Sequence, residues 1–351
     1  MNGMEHYLEQ LNLTGMMEEL DGFFPDASLD LWGMFERILV GNWKEAGQMA
    51  WQGLFGSVLD QAAGMRGLLA SLLILGMLSV LVSSFLASFE NHQIAQIAHY
   101  IFYLLLLAIV LKIFARCYEI ARQSMEAMTQ FSRFVLPALC LSLGPAAGGL
   151  TAAGYYELAL VLIFLVETFL LQLCLPLLPV FMLLLLMNGV WEEGKLASLM
   201  ELLEKGLKAA AGFCMAAVTG LGFLQSMVAP ALDGLKRSTM QKAVSAIPAL
   251  GGLAESTTQL LIGSAVLLKN SLGLFALILL VLLIAAPFGQ LFLYGAMLRA
   301  AGALMGIVAD RRLTACVNRA ADAVFLTLRI AGAAAACFLI LIAVVTCLAG
   351  G

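Results

Sequence analysis

After Glu157 the chain carries one charged side chain, Glu167, before Trp191. An apolar run of that length, hydrophobic on every helical face, belongs either in the centre of a large protein or in a bilayer. Shorter runs of the same kind recur at Gly67–Leu86, Ile97–Ala115, Ala209–Ala229, Leu272–Ala286, Phe288–Val308 and Ile330–Leu348, with a weaker one at Phe134–Gly154. Most approach the ~20 residues needed to cross a ~30 Å hydrocarbon core. Backbone groups in hydrocarbon must be satisfied internally, and these runs lack the alternation of barrel strands, so helices are expected. The composition agrees: 62% hydrophobic and 12% charged, where a soluble domain carries about 25% charged residues. The expected fold is all-α, a polytopic integral membrane helical bundle with about seven transmembrane helices. Glu157–Val190 is too long for one untilted span, and Pro176 and Pro179 are expected to kink or divide it.

Charge divides the chain in two. Residues 1–66 hold ten acidic and three basic side chains, and residues 67–351 hold thirteen and sixteen. The first part has amphipathic signals (Leu31, Met34, Phe35, Ile38, Leu39, with Trp32, Trp43 and Trp51) but no spanning run and no secretory signal pattern. It is expected to be an acidic extramembrane or interfacial region, repelled by nucleic acid and anionic surfaces. Residues 67–351 form the polytopic membrane domain.

Between the runs, Arg116–Arg133 mixes Arg122 with Glu119 and Glu126 and is expected to be a surface connector, cytoplasmic under the positive-inside rule. Trp191–Lys208 is polar, and residues 309–329 are amphipathic. Small residues four apart, at Gly144 and Gly148, at Gly212, Ala216 and Gly220, and at Gly302 and Gly306, predict close helix packing.

Three intramembrane polar residues are functional candidates: Glu167, Gln172 and Arg299. Arg299 needs a carboxylate, a carbonyl or water, and Glu167 is the partner expected first. Seven cysteines lie mostly in apolar runs without CxxC spacing, and three histidines have no ligand spacing. No disulfide framework, metal site, cofactor site or catalytic constellation is predicted, and the chain is read as a non-enzyme.

The least membrane-like stretch is Asp233–Ser271. Its short apolar run, Leu260–Leu268, stands between Pro248, Gly251 and Gly252 on one side and Lys269 and Asn270 on the other. Nine residues make about 13 Å of helix, less than half a hydrocarbon core. This predicts a re-entrant or interfacial segment at 240–270, or else an extramembrane loop, and interrupted helices of that kind build transport sites.

The same residues resemble a known family. Lys242 opens the run KAVSAIPALGG, and SAVLLKNSLG follows it. Ile247, Pro248, Gly251, Gly252, Gly263, Ser264, Leu268, Lys269, Asn270 and Gly273 are similar to the Ile-Pro-x-x-Gly-Gly and Leu-Lys-Asn-x-x-Gly elements of the stage III sporulation protein AE family. The resemblance is dense over residues 232–310. It implies a multi-pass membrane component of the sporulation transenvelope complex, of channel or feeding-tube type. Its place is the mother-cell membrane facing the forespore, where late forespore development requires it. The implied partners are other membrane proteins of the stage III sporulation operon, a forespore-side partner and the lipid bilayer. No nucleic acid is implied, and oligomerisation is left open. The alternative expectation is a secondary transporter or permease whose site is Lys269, Asn270, Glu167 and Arg299.

Overall fold

A computed structural model describes residues 92–147, 149–190, 196–244, 251–308 and 311–347, with isolated helical positions between 33 and 81. Among the described residues every regular element is helical. Helix α1 is His92–Ala147, α2 is Gly149–Val166, a π-helical stretch covers Glu167–Cys174, and α3 is Leu175–Val190. Then come α4 (Ala197–Val244), α5 (Gly251–Val308) and α6 (Arg311–Cys347).

Helix α6 is the centre, packing against α5, α1, α4 and α3. Its alanines explain why: Ala320, Ala321, Ala323, Ala331 and Ala334 are fully buried, so neighbours approach its backbone on several sides. The closest neighbour is α5, joined to it as an antiparallel hairpin. Gly273 faces Thr346, Gly295 faces Phe325, Gly302 faces Asn318 and Gly306 faces Thr314. Seven residues from Gly295 to Gly302 match seven back from Phe325 to Asn318, and four more to Gly306 match four back to Thr314. The sequence-predicted pair Gly302 and Gly306 therefore sits in a longer row of close approaches. A Cβ at Gly295 would stand 2.9 Å from the Phe325 ring.

Helix α1 lies antiparallel along α5. Near one end, Val135, Ala138 and Leu139 close on Leu272, Phe275, Ala276 and Leu279 around a void of about 10 Å³, at most the size of one water. Farther back, Arg116 lies beside the Tyr294 hydroxyl.

Four helical segments among the described residues are long and apolar enough to cross a membrane: Tyr100–Leu139, Glu157–Met187, Ser271–Ile307 and Arg312–Thr346. About seven were expected in the whole chain, and the remaining apolar runs stand as follows. Leu272–Ala286 and Phe288–Val308 fuse through Pro287 into the 58-residue α5, whose packing on α6 and α1 holds it across the lost hydrogen bond. Phe134–Gly154 is shared between the end of α1 and the start of α2, and those two helices pack together. Ala209–Ala229 lies within the 48-residue α4, and Gly67–Leu86 falls largely outside the described residues. Residues 311–329 and the apolar run from Ile330 to Cys347 share α6.

The expected connector Arg116–Arg133 is the largest correction. It is the middle of the 56-residue α1, and Cys117, Ala121, Met125, Met128 and Phe131 are fully buried there. Apolar residues at helical spacing outweigh the charges on the other face. Gly212, Ala216 and Gly220 are also corrected: all three are exposed, and a Cβ at Gly212 or Gly220 would meet nothing within 4 Å. Helix α4 buries Leu207, Ala211, Cys214 and Val218 instead. Beyond them Lys205 hydrogen-bonds Glu201 at 2.6 Å and holds that exposed carboxyl below its usual range.

Gly273→Ala should therefore destabilise the protein by about 1–3 kcal/mol through overpacking against Thr346. Gly212→Ala should be neutral or stabilising by about 0.5–1 kcal/mol through helix propensity. Thermal unfolding of the two variants in one detergent checks the difference in sign.

Candidate functional site

The polar residues of α1 fall on one side. Lys112, Arg116, Glu119, Gln123, Glu126, Gln130 and Arg133 follow at three- and four-residue steps, with Arg122 beside Gln123, and share a helix face. The opposite face carries Ile113, Phe114, Cys117, Ala121, Met125 and Met128 into the core. Along the polar side, Arg122 donates to Glu126 at 2.9 Å and Gln123 donates to Glu119 at 2.8 Å. The stripe is solvent-open: Arg122 and Glu126 side chains are 52% and 44% exposed, and Arg133 is 51% exposed.

Its level in the bundle matters. The contacts at Val135–Leu139 and at Arg116 bracket α5 from Leu272 to Tyr294, inside the most hydropathic candidate span. The charged face of α1 thus runs beside the apolar heart of the hairpin. A charged residue at the centre of hydrocarbon costs on the order of 2.5–3.5 kcal/mol on insertion scales, so a stripe of this kind does not suit lipid.

At one end of the stripe Arg133 reaches across to Glu167 and forms an ion pair. Glu167 opens the π-helical stretch, and the widened turn has a local cause. Pro176 and Pro179 lack N–H donors, and each ring presses on the carbonyl four residues back. In the turn just before them, the Leu175 N–H bonds the Leu170 carbonyl five residues back. π turns of this type concentrate at functional positions. The expected division of Glu157–Val190 at its prolines is thus present as a change of helix type without a break. Gln172 lies exposed on the same stretch, and the Thr168 hydroxyl there is buried without a hydrogen-bond partner.

The expected Arg299–Glu167 partnership is not formed. Arg299 pairs with Asp322 of α6, and Glu167 with Arg133. Asp322 faces Arg299 because the hairpin register that joins Gly302 to Asn318 places them opposite one another. At the far end Tyr103 donates to the Leu186 carbonyl at 3.4 Å and meets the Cys316 thiol. Cys117, Cys174, Cys214, Cys316 and Cys337 are buried free thiols.

Among the described residues of the 242–273 element the helix from Gly251 onward is continuous. Lys242 is helical near the end of α4; Ile247 and Pro248 lie outside the described residues. Gly251 and Gly252 open α5, and the helix then passes unbroken through Gly263, Ser264, Lys269 and Asn270. The expected interruption at Lys269 and Asn270 is corrected on this point, since neither residue breaks a helix strongly. Gly273 is buried under Thr346.

The sequence model of the stage III sporulation protein AE family matches residues 29–349. The chain belongs to this family. A curated family member, stage III sporulation protein AE of Bacillus subtilis (strain 168), is 23% identical over 273 residues, covering 78% of this chain and 68% of the relative. No solved structure matches. Both the α1 stripe and the α5–α6 hairpin lie inside the matched region. The stripe was legible as charge in the sequence; the apolar period behind it, which makes it a membrane-level face, was the overlooked signal.

Double-mutant cycles check the pairings. Arg133→Ala with Glu167→Ala, and Arg299→Ala with Asp322→Ala, should each show a coupling of about 0.2–1 kcal/mol, the range of half-exposed ion pairs. The cycle of Arg299→Ala with Glu167→Ala should show none. Coupling in the third cycle alone contradicts the arrangement.

Proposed function

We propose that this protein is a multi-pass membrane component of the sporulation transenvelope complex, of the channel or feeding-tube type, linking mother cell and forespore. It sits in the mother-cell membrane facing the forespore and is required for late forespore development. Its partners are the other membrane proteins of the stage III sporulation operon and a forespore-side protein. Its work there is assembly and passage, not catalysis. The observation that carries the reading is the family match over nearly the whole chain. The apolar helices long enough to cross a membrane support it, as does the charged face of α1 beside them.

The transporter alternative draws less support from the described residues. Glu167 and Arg299 belong to separate ion pairs, and the helix is continuous at Lys269 and Asn270.

Deletion in the sporulating host, with complementation by a fluorescently tagged copy, tests the proposal. The null strain should lose forespore reporter expression late in development, and the tagged protein should concentrate in the membrane around the forespore. Normal spore yield from the null strain, or uniform distribution in vegetative membrane, contradicts it.

A further inference from the structure

We infer that the polar stripe of α1 is a wetted wall, facing a water-filled passage at membrane depth that favours anionic solutes. Three observations meet here. The stripe is exposed although it lies along α5 between Leu272 and Tyr294, the level at which the neighbouring helices are apolar. Charged side chains at that level face water or protein, and irregular or polar surfaces persist in a membrane only along a cavity or a protein contact. Exposed apolar residues lie on α2 (Val161, Phe164), the π stretch (Leu173) and α3 (Val180, Leu183), and on α1 itself ahead of the stripe, at Ile97, Ile101, Leu104 and Leu105. The exposed apolar surface therefore gives way to charge along α1 itself, where the stripe begins at Lys112.

The charge of the stripe sets the preference. It holds four basic residues (Lys112, Arg116, Arg122, Arg133) and two acidic ones (Glu119, Glu126). Among the described residues Arg122 pairs with Glu126 and Arg133 with Glu167 of the π stretch, whereas Arg116 lies beside the Tyr294 hydroxyl and Lys112 pairs with no carboxylate. A passage lined this way concentrates anions over cations. The purpose of the passage rests on the conduit reading above; its wetness rests on the geometry of this chain alone, so the two fail separately.

The test is thiol labelling of the full-length protein reconstituted alone in phospholipid vesicles, with reagent on both membrane faces. Gln123→Cys and Gln130→Cys probe the stripe, Val161→Cys and Leu183→Cys probe the apolar side, and the unsubstituted chain gives the background of its own cysteines. Two stripe positions guard against one variant failing to fold, and each variant is first checked for a single monodisperse peak after extraction. The probes are a membrane-impermeant anionic thiosulfonate (sulfonatoethyl) and a cationic one (trimethylammonioethyl). Both stripe positions should react with the anionic probe at least about tenfold faster than the apolar positions, since hydrocarbon excludes the charged reagent. Corrected for intrinsic reactivity, the anionic probe should outrun the cationic one at both stripe positions. Stripe positions as slow as Val161→Cys and Leu183→Cys overturn the inference, as does rapid labelling of all four. A faster cationic probe overturns the anion preference. None of these outcomes depends on sporulation or on any partner protein.

Discussion

The fold depends on how closely α5 and α6 can approach. In a bilayer the tails are as apolar as leucine, so helices gain little by hiding apolar surface from one another and associate through packing and polar contacts. Glycines 273, 295, 302 and 306 supply the packing by receiving Thr346, Phe325, Asn318 and Thr314. That register also sets Arg299 against Asp322. The alanines of α6 extend the same economy of volume to α1, α3 and α4.

With the hairpin fixed, α1 has little choice. Its core face, from Ile113 through Cys117 and Ala121 to Met125 and Met128, is buried, which commits the opposite face and all its charges to the outside. A 56-residue helix is about 84 Å long at ~1.5 Å per residue, far more than one crossing requires. Which part of it sits among the apolar segments is decided by Tyr294 at one end and Phe275 at the other. The answer is the charged middle.

Much of this was legible in the sequence. Long apolar runs declared helices, Pro176 and Pro179 marked where one of them changes geometry, and the spacing of Gly302 and Gly306 announced a close approach. The family element around Pro248 and Gly251 was legible too, and the family match extends from residue 29 to 349. What failed were inferences from local charge. Arg116–Arg133 reads as a connector because its ionisable side chains are conspicuous, while the cysteine and methionines at helical spacing behind them are quiet. Lys269 and Asn270 suggested an end to a helix, but a polar pair costs a helix only fractions of a kcal/mol per residue and α5 continues. The partner of Arg299 was beyond reach, because ion pairing between helices follows from register, and register was set by glycines facing residues of another helix. The Gly212 stripe shows the converse: small residues at the right spacing permit packing, but something must arrive to pack.

The continuity of α1 is the premise on which its charged face stands at membrane depth, and one distance tests it. Nitroxide labels at positions 104 and 130, both on exposed residues, can be measured by pulsed electron resonance in bilayer discs. One unbroken helix between them predicts a backbone separation of about 39 Å at ~1.5 Å per residue. A separation of about 20 Å or less, as two spans joined by a surface connector produce when the chain turns back, contradicts it.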